Sequence, residues 1–471
     1  MAHKQENRMG LVSLTTITVV NMMGSGIILL PANLAQVGNI SVLSWVVTAI
    51  GAMVLAYAFA RAGTYSNHQG GMGGYAEYAH GRSGNFMTNY TYFVSLVIAN
   101  VAIGVTTVGY GASFLGMELS PVMTGMLTIA CLWLASVLNF GGPKITGKIG
   151  SFTVWGVIIP VAGIALLGWF WFDPQRYADA WNPKDMPTFQ ALSASISITL
   201  WAFLGLESAS ANGDAVDNPK RNVPLAVLIA TGITALLYIA STSVIAGIVP
   251  IDQLASSNAP FGLVFAQIMD PTVGKIVIGL MVISCFGSLL GWQFTIAEVA
   301  RSSAVTGYFL PFFAKVNRAG APIIGICVIT LAQTLLSLMT ISSTLNQQFT
   351  SLVNLAVMTN LIPYIMAMSA LSSLQRSEKV PDKTARPANI VAFIAGLYSL
   401  YALYATGTEA MMFGGLVTFA GWMLYSLVAA RLDHRPVRQP GTGETAVEAD
   451  HRGALSAVAA ATEKENQRNK S

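Results

Sequence analysis

One carboxylate stands out because it lies in an apolar run, where a charge is costly. The run from Thr199 to Ser210 reads TLWAFLGLESAS and holds a single acid, Glu207. A charge near the centre of a bilayer costs about 2.5–3.5 kcal/mol on insertion scales, so such residues usually face a water-filled cavity and have a partner. No Lys or Arg of the apolar runs lies at comparable depth. The partner could therefore be a cationic substrate or a proton. The alternative is a protonated structural carboxyl that hydrogen-bonds to broken backbone.

Four aromatic side chains could contribute to a site for a cation. Trp201 precedes Glu207 by six residues, and Trp292 lies in GSLLGWQFTIA. Tyr92 lies in TNYTYFVSL and Tyr425 in GWMLYSLV. The faces of Trp and Tyr rings attract cations. A single aromatic residue in an apolar segment more often packs in the core or faces lipid, and the sequence leaves open whether these four converge.

Two of the apolar segments are interrupted by glycine. The first reads TTITVVNMMGSGIILLPANLA and is broken at Gly24, Ser25 and Gly26, while the sixth is broken at Gly205. Glycine weakens a helix and permits non-helical backbone. Two such segments in corresponding halves of a chain indicate the binding site of a secondary transporter built from inverted repeats. The positive N-terminus of the half-helix after a break suits a carboxylate. The alternative is that these glycines only allow close helix packing.

None of the other motifs indicates a binding site for a cofactor or a metal. Glu298 and Arg301 lie three residues apart near the end of the eighth segment and form either a structural pair or a gate. The stretch GGPKITGKI has the GxxxxGK spacing, but Ile149 stands where a P-loop needs Ser or Thr. The three cysteines lie in apolar runs without metal-ligand spacing, and the five histidines lie outside the apolar segments.

The composition indicates an all-α integral membrane protein. Of the 471 residues, 54% are hydrophobic and 10% are charged, against about 25% charged in soluble domains. Backbone groups in lipid must bond within their own segment, so apolar segments of this length predict helices. Twelve transmembrane helices are predicted at 11–35, 41–61, 85–113, 121–139, 150–172, 189–211, 222–249, 272–301, 322–342, 347–374, 387–406 and 408–431. One transporter domain, 1–431, is thus followed by a mobile tail, 432–471, with a short helix near 453–464 and no second globular domain.

The distribution of basic residues predicts the orientation. With the N-terminus inside, the outer loops hold only Arg176, Lys184 and Lys275. The other loops and both termini hold the remaining Lys and Arg residues. Cytoplasmic loops are enriched in these residues, so both termini are predicted to be cytoplasmic.

Several long stretches resemble one family of transporters. NMMGSGI, GGMGGYAEYA, WAFLGLES, GSLLGWQFTIAEV and LVNLAVMTNLIPYI are similar to the basic amino acid/polyamine antiporters of the amino acid–polyamine–organocation (APC) superfamily, and the resemblance runs from about Met9 to about Tyr425. It implies a LeuT-like fold, alternating access and a bacterial inner-membrane location. The first repeat would span about 11–172 and the second, inverted, about 189–374, with two extra helices in 387–431.

The resemblance also implies roles for individual residues. Ser25 and Gly26 would bind an amino acid's carboxylate through backbone amides. Trp201 and Glu207 would bind the amine end, and Trp292 would stack on the aliphatic chain and help to form a gate. The full set of substrate-binding residues implied is Ser25, Gly26, Tyr92, Asn100, Trp201, Glu207, Trp292 and Tyr425.

The function implied is exchange of putrescine for ornithine, with uptake of putrescine together with protons as a second mode. A homodimer is a candidate assembly, and no nucleic-acid partner is expected. A cadaverine–lysine or agmatine–arginine exchanger of the same family is the main alternative. A sensor or scaffold is a second alternative, which the short loops and the lack of an appended signalling domain disfavour. A membrane enzyme is a third, and the apolar segments hold no Ser/His/Asp or metal constellation.

Overall fold

The architecture is helical throughout. A computed structural model describes residues 10–24, 26–66, 71–207, 216–341 and 344–433, and no β-strand occurs in these ranges. In chain order, the helices are α1 (Leu11–Met23), α2 (Leu30–Ala35), α3 (Val42–Tyr65), α4 (Gly71–Leu115), α5 (Pro121–Asn139), α6 (Pro143–Thr153), α7 (Trp155–Leu167), α8 (Pro174–Asp179), α9 (Thr188–Trp201), α10 (Pro219–Ile248), α11 (Ile251–Ser256), α12 (Pro260–Ile268), α13 (Pro271–Val305), α14 (Ile323–Met339), α15 (Leu345–Ser369), α16 (Leu371–Ser377), α17 (Asp382–Ala405) and α18 (Thr408–Asp433). Short 3₁₀ turns lie at Asn39–Ser41, Gly168–Trp171 and Pro311–Ala314.

These helices give a multi-pass membrane protein. Within the described ranges, nine helical stretches are long and apolar enough to cross a membrane. Two more, α1 and α14, are shorter apolar helices, and α9 has 14 residues. Each of the twelve predicted segments coincides with at least one helix. The predicted tail and its short helix lie outside the described residues, apart from its first two positions.

Helix α4 differs most from its predicted bounds. It begins at Gly71 rather than near residue 85 and contains a kink at Gly81, where φ is 63°. The added turns carry polar residues such as Glu77 and Arg82. The length of the apolar run therefore underestimates the length of the helix, because a helical segment that extends beyond the membrane need not be apolar.

Prolines and polar caps fix where the long helices begin. Pro271 occupies the first turn of α13, where its missing N–H costs nothing. The Asp270 side chain caps this helix and accepts hydrogen bonds from the amides of Thr272 at 2.7 Å and Val273 at 3.3 Å. Those bonds, the Thr272 amide above all, lower the pKa of Asp270. The start of the helix that carries Trp292 is thereby defined.

The two broken helices meet at their breaks. Helix α1 ends at Met23, and the chain becomes helical again at Leu30. Helix α9 ends at Trp201 and continues as turns to Glu207, with φ of 105° at Gly205. A Cβ on Gly26 would lie 3.1 Å from the Cα of Ala202, and one on Gly205 would lie 3.2 Å from the carbonyl oxygen of Asn21. Glycine is therefore favoured at Gly205 by the positive φ, and at both positions a side chain would crowd the facing backbone.

Tyrosine hydroxyls satisfy carbonyl groups that the first break leaves without helical partners. The Tyr238 hydroxyl donates to the Met22 carbonyl at 2.9 Å, and the Tyr110 hydroxyl donates to the Ile28 carbonyl at 3.0 Å. The C-terminal end of a helix leaves such carbonyls, and in lipid they must be bonded within the protein. These tyrosines make the interruption of α1 compatible with a buried position.

Candidate functional site

Glu207 is a buried carboxylate held by neutral donors. Its side chain is 7% exposed. The Tyr92 hydroxyl donates to Oε1 at 2.9 Å, while the Tyr364 hydroxyl donates to Oε2 at 2.5 Å and the Gly205 amide donates to Oε2 at 3.0 Å. The break at Gly205 thus frees a backbone amide that would otherwise belong to the helix. The four groups join the sixth predicted span to helices α4 and α15.

No protein cation neutralises Glu207 in the described ranges. The ion pairs found there are Arg176–Asp173, Arg301–Glu298 and Arg386–Asp382. Hydrogen bonds from phenols and an amide stabilise a carboxylate without cancelling its charge. Glu207 therefore keeps its capacity to attract a cation from outside the protein.

Two cavities meet at Glu207. The larger, called the vestibule, is open, has a volume of about 1010 Å³ and is lined by the break of α1, the first part of α4, α6 and the second half of α13. It extends from Glu207 and Trp292 to Thr306 and Gly71. The smaller, called the small cavity, has a volume of about 40 Å³, and both Glu207 and Trp292 line it as well. A molecule in the vestibule can reach the carboxylate and, beyond it, a space for about one or two waters.

Most of the predicted binding residues lie around these cavities. Gly26 and Trp201 line the small cavity, and Tyr92 lines the vestibule. The Trp201 ring packs edge-on against Phe349, with 6.2 Å between ring centroids. Gly24, predicted as part of the helix break, also lines the vestibule. Ser25 lies outside the described residues.

Two predicted residues lie elsewhere. Asn100 is fully buried, and its Nδ2 donates to Gln293 Oε1 at 2.6 Å. Neither cavity has it among its lining residues. Tyr425 packs against Phe86, with ring centroids 5.4 Å apart, in a separate apolar cluster. The packing of the helices places these two residues outside the cavities at Glu207. The sequence of each segment alone does not predict how the helices pack.

Gln293 joins four helices in a buried polar network beside Trp292. Its Oε1 accepts from Asn100 Nδ2 and from Gln333 Nε2 at 2.9 Å. Its Nε2 donates to the hydroxyls of Ser136 at 3.0 Å and Thr330 at 2.9 Å. Both the oxygen and the nitrogen of the Gln293 amide thus form two hydrogen bonds each. The network fixes the rotation of α13 about its axis, and with it the direction of Trp292.

The predicted pair of Glu298 and Arg301 lies at the vestibule. Glu298 lines it, and Arg301 forms two hydrogen bonds to the Glu298 carboxylate, that from Nε being 2.8 Å long. The two side chains are 39% and 33% exposed, so solvent reaches the pair. Exposed ion pairs contribute little to stability.

The sequence alone did not single out Tyr364 or Asn360. Tyr364 is fully buried and bonds to Glu207, and Asn360 lines the small cavity one helical turn earlier. The stretch TNLIPYI contains both residues. Their spacing of four places them on one face of α15, which could have indicated that they act together but not that they face Glu207. No group of three or more His, Cys, Asp or Glu side chains suited to a metal occurs in the described ranges.

Comparison with known proteins identifies the family. The sequence matches the family described as "Amino acid permease" over residues 9–427. It is 59% identical over 433 residues to the "Putrescine transporter PotE" of Escherichia coli (strain K12), covering 92% of this chain and 99% of that protein. The protein of the same name from Haemophilus influenzae is 59% identical over 429 residues, or 91% of this chain and 99% of that protein.

A second kind of relative is more distant. The "Cadaverine/lysine antiporter" of Escherichia coli (strain K12) is 35% identical over 362 residues, covering 76% of this chain and 81% of that protein. These similarities confirm the family resemblance of the sequence. The chain belongs to the amino acid permease family of the APC superfamily.

Proposed function

We propose that this protein exchanges putrescine for ornithine across the bacterial inner membrane by alternating access. The observation that carries the proposal is Glu207, a buried carboxylate with neutral donors at the junction of two cavities. The 59% identity to putrescine transporters over nearly the whole chain supports a diamine as one substrate.

One site serves both substrates because they share an amine and a carbon chain. Putrescine is a dication. Ornithine has a similar distance between its amines but also carries a carboxylate. Glu207 binds the amine common to both, with Trp201 beside it, and the Trp292 ring contacts the chain. The break in α1 at Ser25 and Gly26 receives the carboxylate when ornithine is bound. Tyr92 orients the carboxylate of Glu207, while Asn100 and Tyr425 act on the site from a distance.

The vestibule supports an inward-facing state. Its lining includes the start of α4, the start of α6 and the end of α13. Those ends are cytoplasmic if the basic loops and both termini are cytoplasmic, as the bias of Lys and Arg predicts. On the opposite side of the small cavity, Leu345 packs on Gly109 and Phe349 on Trp201. The Glu298–Arg301 pair lies at the open side, where it is a candidate gate.

The proposed architecture is a LeuT-like transporter domain of twelve membrane helices. Two inverted repeats of five helices span about 11–172 and 189–374, and two extra helices lie in 387–431. The meeting of the two breaks supports this arrangement, since such a contact is expected where the repeats face each other. The tail, 432–471, is proposed to be cytoplasmic, and a homodimer is a candidate assembly.

The exchange is electrogenic by charge counting. One ornithine in and one putrescine out moves one net positive charge outward, which costs about 2.3 kcal/mol per 100 mV of inside-negative potential. The substrate gradients must therefore drive the cycle. Uptake of putrescine with a proton is a second proposed mode, in which Glu207 or another acid of the vestibule holds the proton.

Cadaverine–lysine or agmatine–arginine exchange is the alternative within the family. One methylene changes discrimination by only about 1–3 kcal/mol, so pocket shape decides between these substrates. The lower identity to the cadaverine/lysine antiporter, 35% against 59%, favours putrescine. Since the named relatives are transporters, we propose transport without catalysis of a covalent reaction.

Counterflow tests the proposal. Proteoliposomes loaded with putrescine are offered labelled ornithine, lysine or arginine outside, and protein-free liposomes serve as the control. Ornithine is expected to accumulate fastest. Faster exchange of lysine or arginine would show that the substrate assignment is wrong.

A further inference from the structure

The small cavity is lined by a buried hydrogen-bond acceptor that has no function in the transport cycle described above. Asn360 lines this cavity and is 1% exposed. Its Oδ1 has no hydrogen-bond partner among the residues that the structure describes. A buried amide oxygen without a partner is costly, by about 1–3 kcal/mol, and calls for an explanation.

Asn360 neighbours one of the two tyrosines that bond to Glu207. The Tyr364 hydroxyl donates its proton to Glu207 at 2.5 Å, so its oxygen is available to accept. Asn360 lies four residues before Tyr364, on the same face of α15. The Asn360 side chain is therefore close to the Tyr364–Glu207 pair, and its Oδ1 is available to another donor.

The dimensions of the small cavity suit one ammonium group. Its volume of about 40 Å³ is too small for a four-carbon diamine but suits a group the size of a water molecule. A primary ammonium has three N–H donors and no acceptor. It needs more than one acceptor when buried, because each unbonded N–H of a charged group is costly.

We infer that Asn360 Oδ1 is the second acceptor for the ammonium group bound by Glu207, and that the pair selects primary amines. The inference rests on the proposed transport of an amine. The ammonium occupies the small cavity, and the carbon chain extends past Trp292 into the vestibule. Glu207 provides the negative charge, and Asn360 Oδ1 provides a second hydrogen-bond acceptor. Only an amine with enough N–H groups can donate to both.

Stepwise N-methylation tests this contact. The assay is inhibition of labelled putrescine exchange in proteoliposomes by butylamine, N-methylbutylamine and N,N-dimethylbutylamine, each of which carries one N–H fewer than the last. For the wild type, inhibition is expected to weaken roughly 10- to 100-fold across the series, because a bond to a charged group is lost. In Asn360→Leu, butylamine should bind more weakly and the series should flatten to within about threefold, since the acceptor is already absent.

Two further variants control the result. Asn354 lies on the same helix but accepts from the Ser197 hydroxyl at 2.6 Å, so Asn354→Leu should retain the wild-type series. Asn360→Asp keeps an oxygen at the position and should also retain it, which keeps the test usable if the leucine variant does not fold. An unchanged methylation penalty in Asn360→Leu, or its loss in Asn360→Asp, would overturn the inference. If the wild type exchanges no putrescine, the proposed function itself fails, and that result is distinct from both.

Discussion

Glu207→Gln is the substitution whose consequences the geometry defines best. The carboxylate accepts from the hydroxyls of Tyr92 and Tyr364 and from the Gly205 amide. A glutamine can place its single oxygen at Oε2 and keep two of these bonds. Its NH₂ group then faces the Tyr92 hydroxyl, which can rotate to accept. The substitution should therefore preserve the local structure, and the apparent melting temperature in detergent should stay near that of the wild type.

The expected loss is in affinity for a cation. Two unit charges at about 4 Å interact by about 4 kcal/mol at an effective dielectric constant of about 20. Replacement of a charged acceptor by a neutral one lowers the value of a single hydrogen bond by about 1–1.5 kcal/mol. These estimates bracket the loss between about 1 and 4 kcal/mol, so putrescine should bind roughly 5- to 1000-fold more weakly.

Binding of labelled putrescine to purified protein measures this loss directly. Glu298→Gln is the matched control, because Glu298 also lines the vestibule but is already paired with Arg301. The control should weaken binding by less than about threefold, as expected for an exposed ion pair. Near-normal binding in Glu207→Gln would refute the role of Glu207 as amine partner. An equal loss in both variants would mean that the overall charge of the vestibule, and not a specific contact, attracts the substrate.

Three further predictions concern the groups that support the site. Tyr364→Phe should lower the free energy of unfolding by about 1.5–3 kcal/mol, and by less in a Glu207→Gln background, because the bond then joins neutral groups; equal losses in a denaturation series would contradict this. Gln293→Leu removes four buried hydrogen bonds and, at about 0.6 kcal/mol each, should cost about 2 kcal/mol; an unchanged melting temperature would argue against the network. Gly205→Ala forces φ of 105° on an alanine, so it should lower the free energy of unfolding by about 1–3 kcal/mol and impair exchange. Gly396→Ala is the control and should be neutral, because the space around its Cβ position is open. Equal stability of the two variants would contradict the strain argument.

The sequence revealed the breaks and the acid because their signals are local. Gly24, Gly26 and Gly205 interrupt apolar runs, and Glu207 is costly wherever a membrane helix places it. The structure adds that the breaks touch each other and that Glu207 is held by neutral donors. Most helix ends were also close to prediction. Helix α4 begins earlier because polar residues continue it beyond the apolar run, and α9 ends ten residues before the predicted end because the break begins after Trp201.

The partners of Glu207 across the fold could not be predicted in the same way. Tyr364 lies 157 residues from Glu207 in the chain, and an aromatic residue in an apolar segment more often packs in the core or faces lipid. Asn100 and Tyr425 illustrate the reverse case, because the structure places them in a buried network and in a separate cluster. Which face of a helix points to the cavity depends on packing against its neighbours, and that information is distributed over the whole chain.

The most direct test of exchange through one site is to measure putrescine efflux and charge movement together. Proteoliposomes loaded with labelled putrescine are diluted into buffer with or without ornithine, and the membrane potential is recorded. Efflux should require external ornithine and should carry one positive charge outward per cycle, so that the vesicle interior becomes negative. Efflux at the same rate without ornithine, or exchange without a potential, would contradict the account.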